Sequence, residues 1–434
     1  MSAAITEPTL PGASGPPTQS KPAAFAGGFL RAIGNALLVP LLAVFTAFVI
    51  GGLVIWVTTG DLLKVVGPQG AFVGLWQGAL GSPQNIADTL ITSTPYIFAG
   101  LAVALAFKCG LFNIGAEGQL AVGAVCAAFV GYVLPDVPFP FHLLLALAAG
   151  LFGGLVWGAI PGILKAYTGA HEVIITIMLN YIALSLVQYL LGGPLKDHSP
   201  GNVSARTPLI APGAELPTLF AGTPWEIHYG VPLALLAAVL VWFFFARTTW
   251  GFEIKTVGAN PNAARYAGMS VAKNTVLAMA LSGLLAGAAG AVEVLGVTHR
   301  HELGFGSGYG FDSIAIALLG RTNPFGVVVA ALLFGGLKSG ATQMQFNTQI
   351  SGSIISVVQG LVLLFVAADV IIRWVYRLRV KSDRTTLTLG AAALLAEESA
   401  GGEPVGEAPG AAGLGSDDDA KGGSNSDPDR GTRL

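Results

Sequence analysis

The residues best placed to do chemistry lie between two apolar stretches, in the run Gly110-Leu111-Phe112-Asn113-Ile114-Gly115-Ala116-Glu117-Gly118-Gln119. Its three glycines can open a helix, and Asn113, Glu117 and Gln119 supply one acid and two amides. An unpaired carboxylate at the centre of a membrane costs about 2.5–3.5 kcal/mol, so Glu117 needs a partner or a wet cavity. Two roles stay open. The three side chains line a solute path, or they satisfy the N–H groups that a broken helix exposes. Other polar groups inside apolar runs are Thr176, Asn180, Glu293, Asp312, Ser313, Gln359 and Asp369. Thr176 and Asn180 are four residues apart and share one helix face. That face suits hydrogen bonding to a neutral polar solute, and equally to a neighbouring helix. Asp369 precedes Arg373 by four and reads as a simple ion pair.

A second constellation is the polar stretch RTTWGFEIKTVGANPNAARYAGMSVAKN. Asn260 followed by Pro261 is a helix-start signal, an N-cap residue and then a first-turn proline. The residues NAARYAG then make a helix of about two turns, with Gly268 as its stop. Its alanines would let it sit in a groove on a cytoplasmic partner. The alternative is a basic loop beside anionic lipid.

Other chemistries fail on their residues. No Lys follows a Gly, so there is no GxxxxGK[ST] phosphate loop. HEVII at 171–175 lacks the second His of a zinc protease helix. His299-Arg300-His301-Glu302 reads as a surface loop, because adjacent residues rarely converge on one metal. Cys109 and Cys126 form no CxxC and read as small buried residues, so neither a metal nor a disulfide is expected. A membrane enzyme acting on lipid would need a metal or nucleophile constellation that is missing.

The elements that carry these groups follow from composition. Only 11% of the 434 residues are charged and 53% are hydrophobic, with a mean hydropathy of +0.68. Soluble domains carry about 25% charge. A soluble enzyme, a nucleic-acid binder and a disordered chain are excluded, and no nucleic-acid partner is expected. The fold class is an all-α polytopic membrane protein. The 59 glycines suit close helix contacts in lipid, and GxxxG steps at Gly154/Gly158 and Gly283/Gly287 read as packing faces.

Spans are expected at 37–57, 142–164, 173–191, 230–246, 274–297 and 351–372. Three more, 89–107, 114–134 and 325–341, carry breakers or polar groups. A tenth, about 307–320, starts in the Gly-rich stretch GFGSGYGFDS. With the N-terminus inside and ten crossings, 14 basic residues fall inside. These include Lys108, Lys165, Arg247, Lys255, Arg265, Lys273, Arg321 and the Arg373–Arg384 cluster. Five (Lys64, Lys196, Arg206, Arg300 and Lys338) fall outside. Both termini are then cytoplasmic. Residues 1–30 read as a flexible arm, 31–380 as the transmembrane domain with internal loop 247–273, and 381–434 as a disordered acidic tail. The segment 58–88 reads as a short amphipathic piece on the membrane surface. FNIGAEGQ and FGSGYGFDS fall at matching places in two sets of spans of opposite direction, which suggests an inverted repeat with broken helices.

The runs GLFNIGAEGQ, GAHEVIITIMLNYIA, GFEIKTVGANPNAARYAGMSV and LSGLLAGAAGAVE occur in that order. Together they resemble the permease subunits of bacterial ABC importers of the nucleoside/simple-sugar type, related to ribose and branched-chain amino acid permeases. FNIGAEGQ is similar to the first of two paired nucleoside permeases. The resemblance covers residues 90–375. It implies a ten-helix type II importer fold like that of the vitamin B12 importer. It also implies a cytoplasmic ATPase that uses ATP-Mg, a second homologous permease, an extracytoplasmic substrate-binding lipoprotein and a bacterial cell membrane location. It implies that Ala263, Ala264 and Gly268, within the group Asn260, Pro261, Arg265 and Tyr266, meet the ATPase. Asn113, Glu117, Gln119, Thr176, Asn180, Glu293, Asp312, Ser313 and Gln359 are then candidates for the solute path. Nucleosides come first as cargo, simple sugars second and branched-chain amino acids third. A stand-alone secondary transporter using Glu117 or Glu293 as a proton site is the alternative.

Overall fold

A computed structural model of the chain describes residues 22–306, 308–367 and 376–377. Among them, eight helices are long and apolar enough to cross a membrane, and two shorter apolar helices accompany them. The long ones are α1 Pro22–Thr59, crossing from Pro40, and, past short helices α2 Leu63–Val66 and α3 Ala71–Leu80, α4 Pro83–Lys108. Then come α5 Ala116–Val133, α6 Phe141–Thr168, α7 Glu172–Gly192 and α8 Gly230–Arg247. Two short polar helices follow, α9 Thr249–Ala259 and α10 Pro261–Tyr266. The chain continues through α11 Val271–Glu293 with a π turn at Val294–Thr298, short α12 Tyr309–Leu319, α13 Pro324–Thr348 and short α14 Ser353–Ala367. All ten expected spans are present as helices. The Asp369–Arg373 pair, residues 1–21 and the acidic tail lie outside the described residues.

Helix starts follow local chemistry. Ser82 caps α4 by accepting from the Asn85 nitrogen at 3.1 Å, with Pro83 as the first helical residue. Asn323 and Pro324 do the same for α13. Thr248 caps α9, which makes a helix of a stretch that reads as loop from its sequence.

The core is a seam of small residues. In lipid the close approach of backbones replaces the hydrophobic effect as the source of helix contact. A Cβ on Gly158 of α6 would lie 2.7 Å from Gly283 Cα of α11, and one on Gly154 2.6 Å from Gly287 Cα. Gly123 of α5 enters the same seam beside Gly150 and Gly287. The GxxxG steps are packing faces, as expected.

One end of the bundle carries the segment 193–229 and its two-residue antiparallel strands β1 Thr218–Leu219 and β2 Ile227–His228. It is laced to the turn after α11. The Thr207 and Ile210 nitrogens donate to the carbonyls of His301 and His299, each at 2.9 Å. Asp197 accepts from Ser199 and pairs with Arg206 at 3.5 Å, which holds its carboxyl below the usual range. The His299–Glu302 cluster is a loop here, with Arg300 paired to Glu302. No group of three or more His, Cys, Asp or Glu among the described residues could hold a metal.

One expectation changes. Within 58–88, α3 does not lie free on the surface: its Gly74 and Gly78 pack on α13, a Cβ at Gly78 reaching within 2.9 Å of Gly340 Cα. Lys338, counted among the outside residues, lies near the middle of α13, which runs on to Thr348.

Candidate functional site

α5 and α12 both begin inside the bundle. After α4 ends, Gly110 turns the chain at φ +72° and residues 111–114, without regular structure, lead to the start of α5. After the α11 turn, residues 303–306 form turns that lead to α12 from the opposite end. The two helix starts meet beside Tyr96, which lies at the middle of α4. A Cβ at Gly310 would overlap the Glu117 backbone, so only glycine permits the approach. Each start exposes N–H groups and a positive dipole end.

Glu117 serves both. It lies in the first turn of α5, and its carboxylate accepts from the Gly308 and Gly310 nitrogens at 2.7 Å each. A buried acid becomes tolerable because it faces two helix N-termini and two N–H donors. The tightly placed amides finish the break. Asn180 Oδ1 accepts from the Gly118 nitrogen and its Nδ2 donates to the Ile114 carbonyl, both at 2.9 Å. Asn113 Oδ1 accepts from the Gly115 nitrogen, while its Nδ2 donates to Gln119 Oε1 at 2.9 Å and Ser282 Oγ at 2.8 Å. Ser282 in turn donates to the Ala102 carbonyl and ties α11 to α4.

The expected path residues are placed as follows. Asn113, Gln119, Thr176, Asn180 and Ser313 are all buried. Thr176 spends its hydroxyl on the Glu172 carbonyl, and Ser313 donates to Gly310. Their polar atoms bond backbone or, for Gln119, the Asn113 side chain, because a broken helix must satisfy its own N–H and C=O groups first. Glu117 is buried too. Two acids are half-buried: Asp312, which accepts from Tyr96 at 3.0 Å, and Glu293. Glu293 opens on a cavity of about 420 Å³ shared with Arg300, Glu302 and Phe305. Gln359 is buried with an unpartnered Nε2. Tyr96 and Ser282 were missed from sequence. Tyr96 packs edge-on against Tyr309 at 4.7 Å, and no spacing in TSTPYIFAG signals that partner.

At the far end, Asn260 caps α10 by accepting from the Asn262 and Ala263 nitrogens at 3.0 Å, and Gly268 follows at φ +80°. Pro261, Ala263, Arg265 and Gly268 are exposed, and Tyr266 is 95% exposed. Ala264 is fully buried against this chain. The α10 end also holds the close contact of Gly110 with Gly258 of α9. The helix break and the polar helix pair are thereby linked through backbone.

The family model for the branched-chain amino acid transport system permease component matches residues 85–367. The guanosine ABC transporter permease protein NupP of Bacillus subtilis is 43% identical, over 78% of this chain and 95% of its own length. The nucleoside ABC transporter permease protein NupB of Lactococcus lactis is 36% identical, over 77% and 92%. The glucose ABC transporter permease protein TsgB13 of Haloferax volcanii is 35% identical, over 80% and 90%. No solved structure matches the chain. With its membrane-spanning helices and its matched length, the chain belongs to this family and is a multi-pass permease subunit of an ABC importer.

Proposed function

We propose that this permease carries nucleosides inward, by alternating access driven by a separate ATPase that binds and hydrolyses ATP-Mg. The observation that carries the alternating-access part is the meeting of two helix starts under Glu117. Broken helices at a repeat interface are where transporters place their path and their moving joint. Nucleoside cargo is supported by the two relatives named for guanosine and nucleosides. A neutral, hydroxyl-rich cargo also suits a bundle whose buried polar groups are mostly amides and hydroxyls. Simple sugars rank second.

The exposed face of α10 is the ATPase contact, which puts that end and both termini on the cytoplasmic side. The laced segment at the opposite end then receives a substrate-binding lipoprotein. A second, homologous permease completes the path. The test is uptake of labelled guanosine, uridine and ribose by the reconstituted complex. We expect guanosine and uridine uptake that requires ATP and the ATPase. Uptake without either would favour a secondary transporter and overturn the reading.

A further inference from the structure

α13 exposes two faces of opposite character. On one face, Phe325 and Val329 are exposed, Val329 at 69%, near the end where Phe325 touches Trp242 of α8. On the other, Lys338, Thr342 and Gln345 are exposed at steps of four and three residues, with Phe346, 75% exposed, at the edge. At 3.6 residues per turn the three polar residues fall on one narrow strip. Lys338 lies nine residues from Val329, two and a half turns, and so points to the opposite side of the helix. The strip runs from the middle of α13 toward the end of the bundle away from α10.

Lipid cannot face such a strip. A lysine at mid-span facing hydrocarbon costs several kcal/mol, and the hydroxyl of Thr342 and the amide of Gln345 add polar surface to the same strip. Lys338 stands one turn beyond Phe334, which packs on the Tyr96 ring at 6.3 Å. Tyr96 donates to Asp312. The strip therefore leads from the outer end of α13 down to the helix break. Gln345 faces the start of α14, its Oε1 within 3.3 Å of where a Cβ on Gly352 would stand. Gln359 of α14 adds an unpartnered, buried amide nitrogen on the neighbouring helix.

We propose that Lys338, Thr342 and Gln345 form the water-facing wall of the outward half of the solute path, ending at Asp312, with Lys338 the specificity-determining cation. It deepens the nucleoside reading and rests on it. Lys338 and Asp312 are opposite charges, so this wall is neutral overall and admits a neutral solute, to whose hydroxyls the ammonium donates.

The test uses the full complex in membranes, with C109A and C126A as background. T342C and Q345C should react with a membrane-impermeant charged thiosulfonate added outside, while V329C should not. Unreactive T342C and Q345C, or V329C reacting as fast, would overturn the wall. K338M should lower nucleoside uptake by about tenfold, the effect of one lost charge-assisted hydrogen bond, at unchanged complex yield, and K338R should restore most of it. Normal uptake by K338M would overturn the role of the cation. Labelling is read without transport, so a complex that moves no nucleoside would fail the functional proposal and leave the wall still decided.

Discussion

Glu117 Oε2 lies 2.7 Å from the backbone nitrogen of Gly310, across 193 residues of chain. The other oxygen holds Gly308, so one acid closes two helices that begin nose to nose. Replacing Glu117 by Gln keeps one acceptor but turns an NH₂ toward an N–H. We expect a loss of about 1–3 kcal/mol for the unsatisfied donor, read as a lower melting temperature of the purified complex. E117A should lose more, since both N–H groups are then orphaned.

Asn180 gives a parallel case with the opposite polarity of evidence. It serves one donor and one acceptor of the break. N180L keeps the volume and removes both bonds, so about 1–3 kcal/mol of stability should go. T176V, whose hydroxyl bonds only within its own helix, should be nearly silent in the same melting assay.

The glycine seam predicts a sharp size limit. G283L would drive a side chain into the α6 backbone at Gly154 and Gly158. Overpacking costs of about 1–3 kcal/mol are typical where neighbours can shift, and here the neighbours are main chain. Loss of folded protein by size-exclusion chromatography is expected.

On α10 the two alanines should separate cleanly. A263W and Y266D alter exposed positions and should leave the melting temperature unchanged while abolishing coupling of ATP hydrolysis to substrate. A264W fills a buried site and should lower the melting temperature itself. Intact coupling in both A263W and Y266D would remove α10 from the ATPase contact.

The outer segment should loosen in acid. Burial holds His301 down to about 4, and burial with nearby His299 holds His228 down to about 4, against 6.5 ordinarily. The folded state thus binds fewer protons than the unfolded one between pH 6.5 and 4. Its stability is complete above about 6.5 and declines as pH falls toward 4. Amide exchange of Thr207, Ile210 and His299, corrected for the intrinsic rate, should speed up between pH 7 and 5. H301F should flatten that change.

The spans were legible because twenty apolar residues have few other uses, and the cap at Asn260–Pro261 announced its helix directly. The break at Gly110–Gln119 showed itself through glycines and amides together. What each amide bonds to was not legible. Asn113 and Ser282 are 169 residues apart, and only packing brings them to 2.8 Å. Lys338 was counted with the outside charges, yet α13 continues to Thr348 and sets it near the helix middle.

The seam of α5, α6 and α11 also sorts the molecule mechanically. Where backbones touch with no side chain between them, there is no slack to slide and no rotamer to exchange. These three helices must travel as one block, stiff as a keel. Whatever opens and shuts must swing about it.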